Sequence, residues 1–282
     1  MSPIHDQSYR RYAGSRAKLG SAWTVIAGTG IRTLLARKWF LAVLLASYIP
    51  FIARTIHIYV VTMYPTAGQV LPVDAKMFMQ FVEQQGFFIF LVTVFVGAGL
   101  IAADRRANAL QIYLSKPLLR MEYIGGKLAI LGAFLVFVTV VPGLLLILLQ
   151  VAFAGNLEFL KANLHVIPAV VLASLARVVV SAFTMLALSS LSKSTRYVSI
   201  LYAGVIFFTE AIYGVMTVIT GSSRVAWISI TANLENVTDV MFRQPPRYEA
   251  PVIVSALVLL GLLVVSISVL ERRVRGVEVV GS

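Results

Sequence analysis

An all-helical membrane protein with six transmembrane helices is the fold class this sequence predicts, and three observations predict it. Apolar residues make up 59% of the 282 residues and charged ones only 13%, against about 45–50% and roughly 25% in a soluble domain. Mean hydropathy is +0.88. The apolar residues gather into six runs long enough to cross a bilayer, separated by short polar segments. Spans and loops consume the chain, so no soluble domain of ordinary size fits beside them.

Three regions follow. Residues 1–38 form an N-terminal tail and interfacial helix, 39–270 the six-span domain, and 271–282 a short C-terminal tail. The first twenty residues are polar and basic with no apolar core, so no cleavable signal peptide is expected. In residues 20–38, Trp23, Ile26, Ala27, Ile31, Leu34 and Leu35 recur at helical spacing. With Arg32, Arg37 and Lys38 facing head groups, this reads as an amphipathic helix in the interface, weakened by its two internal glycines.

The spans are expected near Trp39–Val61, Phe87–Ala103, Leu128–Phe153, Val166–Leu191, Tyr197–Thr220 and Pro251–Leu270. Seventeen Lys and Arg fall on the two tails and on the second–third and fourth–fifth loops, and five on the other three loops. The positive-inside rule then places both termini in the cytoplasm and the chain in the cell (inner) membrane. The net charge of +12 lies on that face, where anionic lipid attracts it, and calls for no nucleic acid. Cysteine is absent, which removes disulfides, thiolate metal sites and a thiol nucleophile.

The segment from Ala103 to Lys127, ADRRANALQIYLSKPLLRMEYIGGK, is the most informative. Asp104, Arg105 and Arg106 leave the second span together. ANALQIYL can form a short helix with Leu110, Tyr113 and Leu114 on its apolar side. Pro117 ends it by pushing the preceding residue out of the helical region. Held at both ends by spans, such a helix can pass a push into the membrane.

These residues resemble the ABC-2 family of membrane permeases, the transmembrane subunits of ATP-driven exporters. The match rests on Asp104, Arg105, Arg106, Leu110, Leu114, Ser115, Pro117, Arg120, Glu122, Gly126 and Lys127. Family members more often carry Glu at the first acid and Gly where Ala107–Ala109 stand. In layout the chain looks most similar to the permeases found beside copper-site maturation proteins of nitrous oxide reductase. The resemblance implies a coupling segment in which Asp104, Arg105, Arg106, Leu110, Leu114, Pro117, Arg120 and Glu122 dock a separate ATPase subunit. It also implies a second permease copy or homologous permease as partner, and a short re-entrant helix pair before the last span. This chain has no phosphate loop, since Met121 stands where the first glycine preceding Gly126–Lys127 is needed. ATP and Mg²⁺ therefore belong to the partner, and the chain itself is expected to hold no cofactor or metal and to be no enzyme. A channel or scaffold subunit without ATP coupling is the alternative.

Charges inside spans are functional candidates by default. Arg177 in the fourth span and Glu210 in the fifth fall at similar depth, which predicts an intramembrane ion pair. Arg54 and His57 lie near the outer end of the first span, where they can snorkel to the interface. Pro142–Gly143 is expected to kink or open the third span. His5, His57 and His165 have no ligand partners at metal spacing, and neither HExxH nor GxSxG occurs.

Overall fold

A computed structural model describes residues 22–109 and 119–274, and every regular element among them is helical. After α1 (Ala22–Leu35), the first span is split into α2 (Lys38–Ala46) and α3 (Ile49–Met63). The second comprises α4 (Ala75–Val92), a π turn (Thr93–Gly97) and α5 (Ala98–Arg106). The third is α6 (Arg120–Ala154); α7 (Glu158–Ala162) leads into the fourth, α8 (Val166–Leu191). The fifth is α9 (Thr195–Thr220), α10 (Ile230–Met241) follows a 3-10 turn (Ser223–Ile228), and the sixth is α11 (Val252–Arg273).

All six are long and apolar enough to cross a membrane. The first begins and the sixth ends on one face, here called the terminal face. Spans two, three and four form the centre: 44%, 61% and 56% of their most apolar windows are buried, against 17%, 11% and 17% for spans one, five and six. The flanking spans therefore present apolar surface to lipid or to another protein.

Two expected boundaries shift outward. The second span was expected to begin at Phe87, but its helix starts at Ala75, where Asp74 caps it by accepting the Met77 amide at 2.9 Å. Gln80, Glu83 and Gln84 lower the hydropathy of this stretch, yet Phe78, Phe81, Val82 and Gln85 are buried along another face of the helix. The third span starts at Arg120 and runs 35 residues, about 52 Å at 1.5 Å per residue, well beyond a hydrocarbon core of about 30 Å. This helix also continues through Pro142 instead of breaking there. Val138, Thr139, Pro142 and Gly143 are all buried, and the packed neighbours hold it together.

The unexpected irregularities occur elsewhere, and each has its backbone groups met. Pro50 stands in the first turn of α3, where its missing N–H costs little. The Ser47 carbonyl at the preceding turn accepts from Gln85 Nε2 at 3.3 Å. After the π turn, Ser189 Oγ accepts from Ile101 N at 3.2 Å and Ala102 N at 3.0 Å, and donates to the Ala98 carbonyl at 2.9 Å. Gly97 ends that turn against the third and fourth spans: a Cβ there would lie 2.4 Å from Met185 Cγ and 3.0 Å from Leu131 Cδ2.

The amphipathic N-terminal helix exists as α1 and packs against the base of α6. Its contact depends on two glycines, one on each helix. A Cβ on Gly126 would fall 2.8 Å from Ile26 Cβ and 3.1 Å from the Trp23 carbonyl; one on Gly30 would fall 2.2 Å from Ile130 Cδ1. The Gly30 that weakens α1 as an isolated helix is thus what lets it dock. Replacing Gly126 by Leu should push α1 off and cost about 1–3 kcal/mol of overpacking, read as a lower melting temperature in detergent. Gly125→Ala, with nothing within 4 Å of the added carbon, should melt at or slightly above the parent temperature, because alanine favours a helix interior.

Candidate functional site

Two polar assemblies stand out, one at each face of the spans. On the terminal face, Asp104 at the end of α5 forms an ion pair with Lys127 Nζ at 2.7 Å and accepts from Tyr123 Oη at 2.7 Å. Lys127 also lies 5.4 Å from the Tyr123 ring centroid, a cation–π distance. The first and last charges of the informative loop therefore close on each other. The excursion they enclose starts and ends at one clasp between the second and third spans.

The other loop residues tie the clasp to its neighbours. The Arg105 guanidinium donates to the Ser190 carbonyl, one of the last of the fourth span, where a cation complements the helix end. Glu122 is buried, with one carboxylate oxygen accepting the Leu119 amide at 3.0 Å and the other the Ala22 amide at 3.2 Å. It thereby satisfies free N–H groups at the starts of both α6 and α1. Arg120 donates to the Glu271 carbonyl of α11 at 3.3 Å.

Of the residues expected to dock an ATPase, Asp104, Arg105 and Glu122 thus bond within the chain. Arg106 is exposed, with no ion pair or hydrogen bond among the described residues, and Arg120 is exposed despite its bond. Leu110, Leu114 and Pro117 lie outside the described residues.

At the opposite face, α10 and the turns around it fold back into the spans. The helix is anchored by buried amides. Asn233 Nδ2 donates to the Trp227 and Ser229 carbonyls at 2.8 and 2.7 Å, and Asn236 Nδ2 to Ala250 O and Ser255 Oγ, both at 3.0 Å. Buried in this way, Asn236 is a packing residue.

The expected Arg177–Glu210 ion pair is not formed. Arg177 Nη1 donates to Thr238 Oγ1 at 2.7 Å and to the Ala173 carbonyl at 3.4 Å. Glu210 accepts from Ser229 Oγ. Both side chains sit at the expected depth, but the returning segment reaches each of them first, with Thr238 at one end of α10 and Ser229 at the other. Equal depth on neighbouring helices was a sound reason to expect contact; a third element between the helices is not visible in either span.

A cavity of about 130 Å³ lies between the second, fourth and fifth spans and α10. Arg177, Ser181, Thr184 and Tyr202 line it, with Glu83 and Glu235 also on its wall. The Thr184 hydroxyl is buried without a hydrogen-bond partner. Arg177 uses only Nη1 in the bonds above, leaving Nε and Nη2 without protein partners among the described residues. The cavity therefore offers unused donors in an otherwise largely apolar wall, the composition of a ligand pocket.

Arg247 closes the adjacent edge. It bonds Asp239 through Nε at 3.1 Å and Nη2 at 2.7 Å, and pairs with Glu83 and with Glu235, the last at 3.4 Å. Partial burial by itself would lower its pKa, but the bonds to Asp239 and Glu83 and their charges outweigh it and hold the pKa above the ordinary arginine value. Tyr248 donates to Glu235, and burial first, then that carboxylate, raises its pKa above the usual phenol. One guanidinium thus joins the second span to the returning helix at two cavity-lining acids. Sequence reasoning missed this cluster, because Glu83 and Arg247 are 164 positions apart. The available signal was a group of acids (Glu83, Glu235, Asp239) in segments otherwise poor in charge.

Among the described residues no group of three or more His, Cys, Asp or Glu is arranged to hold a metal. Compared with known proteins, the chain matches no family model and no curated protein.

The absence of cysteine gives a clean background for labelling. In Thr184→Cys, an impermeant thiol reagent should react slowly. Adding Arg247→Gln, which cuts the link between Glu83 and Glu235, should raise that rate about tenfold or more, measured by mass shift against time.

Proposed function

We propose that this chain is the transmembrane permease subunit of an ABC exporter, working with a separate ATPase subunit. The observation that carries the reading is the clasp on the terminal face. The segment that resembles an ABC-2 coupling loop is mounted on the ends of several spans at once. Asp104–Lys127 joins spans two and three, Arg105 reaches span four, Arg120 reaches span six, and Glu122 reaches α1.

A force applied to this segment would be shared among those helices rather than absorbed by a loose loop. In this reading the terminal face is cytoplasmic, and ATP-driven approach of the partner ATPases displaces the segment. The spans then rearrange around the cavity at Arg177. The weakly buried first, fifth and sixth spans supply apolar surface for a second permease copy. ATP and Mg²⁺ stay on the ATPase subunit.

Affinity purification from the native membrane tests the assignment. The wild type should bring down an ATPase subunit in stoichiometric amount. Arg106→Glu, which reverses an exposed charge and breaks no internal bond, should reduce recovery at least fivefold while the permease remains monodisperse. Failure to recover any ATPase under conditions that preserve membrane complexes would favour a channel or scaffold.

A further inference from the structure

A second cavity, of about 230 Å³, lies at the face opposite the termini, between α3, the loop after it and the start of α4. Its wall carries Arg54, His57 and Lys76, with one carboxylate, Asp74, and apolar Val70, Leu71, Pro72 and Met77. No ion pair neutralises the basic groups among the described residues. Arg54 donates to two neutral amides, Nε to Gln84 Oε1 and Nη2 to Gln80 Oε1, both at 3.3 Å. Lys76 is exposed and has no carboxylate within ion-pair distance. His57 Nε2 donates to the Leu71 carbonyl at 3.1 Å, and Nδ1 has no hydrogen-bond partner among the described residues. Asp74, the only acid on the wall, already caps the Met77 amide through Oδ1 at 2.9 Å.

We infer that this cavity binds a phosphodiester anion, supplied by the head group of a phospholipid in the leaflet on that face. Arg54 lies nine residues before the end of α3, about 13 Å along the helix, beneath the loop and near the depth of head groups. Simple snorkelling would carry its guanidinium to open water. Instead it is held by Gln80 and Gln84 at the side of a cavity whose wall also includes Lys76 and His57. A planar fork beside a point charge suits a phosphate, which accepts bidentate bonds from arginine. The depth of the guanidinium, close to the head groups of that leaflet, favours a lipid over a free anion. The inference does not depend on the ATP-coupled reading, because this cavity shares no lining residue with the clasp or with the cavity at Arg177.

Native mass spectrometry of the full-length protein, released from detergent micelles into the gas phase, tests the site. The probes are phosphatidylglycerol, a diacylglycerol of the same chains, and inorganic phosphate. Wild type should retain phosphatidylglycerol about tenfold better than the diacylglycerol. Lys76→Gln, an exposed substitution with no folding consequence, should reduce that preference at least threefold, and Arg54→Gln/Lys76→Gln should abolish it. Displacement of the lipid by millimolar phosphate, with the same sensitivity to Lys76→Gln, would assign the shared phosphate chemistry to a free anion and overturn the lipid source. Equal retention of the two lipids, or a preference that Lys76→Gln leaves unchanged, would overturn the site.

Discussion

A guanidinium eleven residues into a membrane-spanning helix must be given its partners by the protein. Hydrocarbon offers none, and an unmet charge there costs several kcal/mol. Arg177 meets this demand through α10. The short helix turns back into the spans far enough for Thr238 to accept from Nη1, and its entry at Ser229 reaches Glu210. Much of the far half of the molecule is arranged around that return. Buried Asn233 and Asn236 hold the turns, Arg247 ties the segment to Glu83 on the second span, and the space left over is the cavity.

The terminal half follows from a different constraint, the unpaired amides and carbonyls at helix ends. Glu122 serves two helix starts, Arg105 serves the end of the fourth span, and Ser189 serves the backbone beyond the π turn. The polar groups at the two faces are joined by spans two, three and four, the most buried in the molecule. Gly97 lets the Leu131 and Met185 side chains of the other two pack against the backbone of the second.

Span number and type were legible because twenty-residue apolar runs have no other use in a chain this hydrophobic. The fourth span was legible to the residue, since polar segments bound it closely on both sides. The second and third were not, because their helices continue as half-polar stretches whose burial depends on neighbours. Five residues of the loop motif bond inward: Asp104 pairs with Lys127, and Arg105, Arg120 and Glu122 each meet backbone groups. Charge in a loop reads the same whether it faces a partner or a helix terminus. Arg177 and Glu210 were recognised for their cost in hydrocarbon. Their true partners, a threonine and a serine between the fifth and sixth spans, carry no signal that distinguishes them from any other hydroxyl. The Glu83–Arg247 link is wholly tertiary.

The claim that α10, rather than Glu210, completes Arg177 is open to a direct thermodynamic test. Double-mutant cycles on unfolding in mixed micelles would compare two pairs, Arg177→Lys with Thr238→Val and Arg177→Lys with Glu210→Gln. The structure predicts coupling of about 1.5–3 kcal/mol for the first pair, the range for a hydrogen bond to a charged group. It predicts additivity within about 0.5 kcal/mol for the second, as for groups without a shared contact. Strong coupling of Arg177 to Glu210 with none to Thr238 would contradict the account and restore a direct ion pair between the fourth and fifth spans.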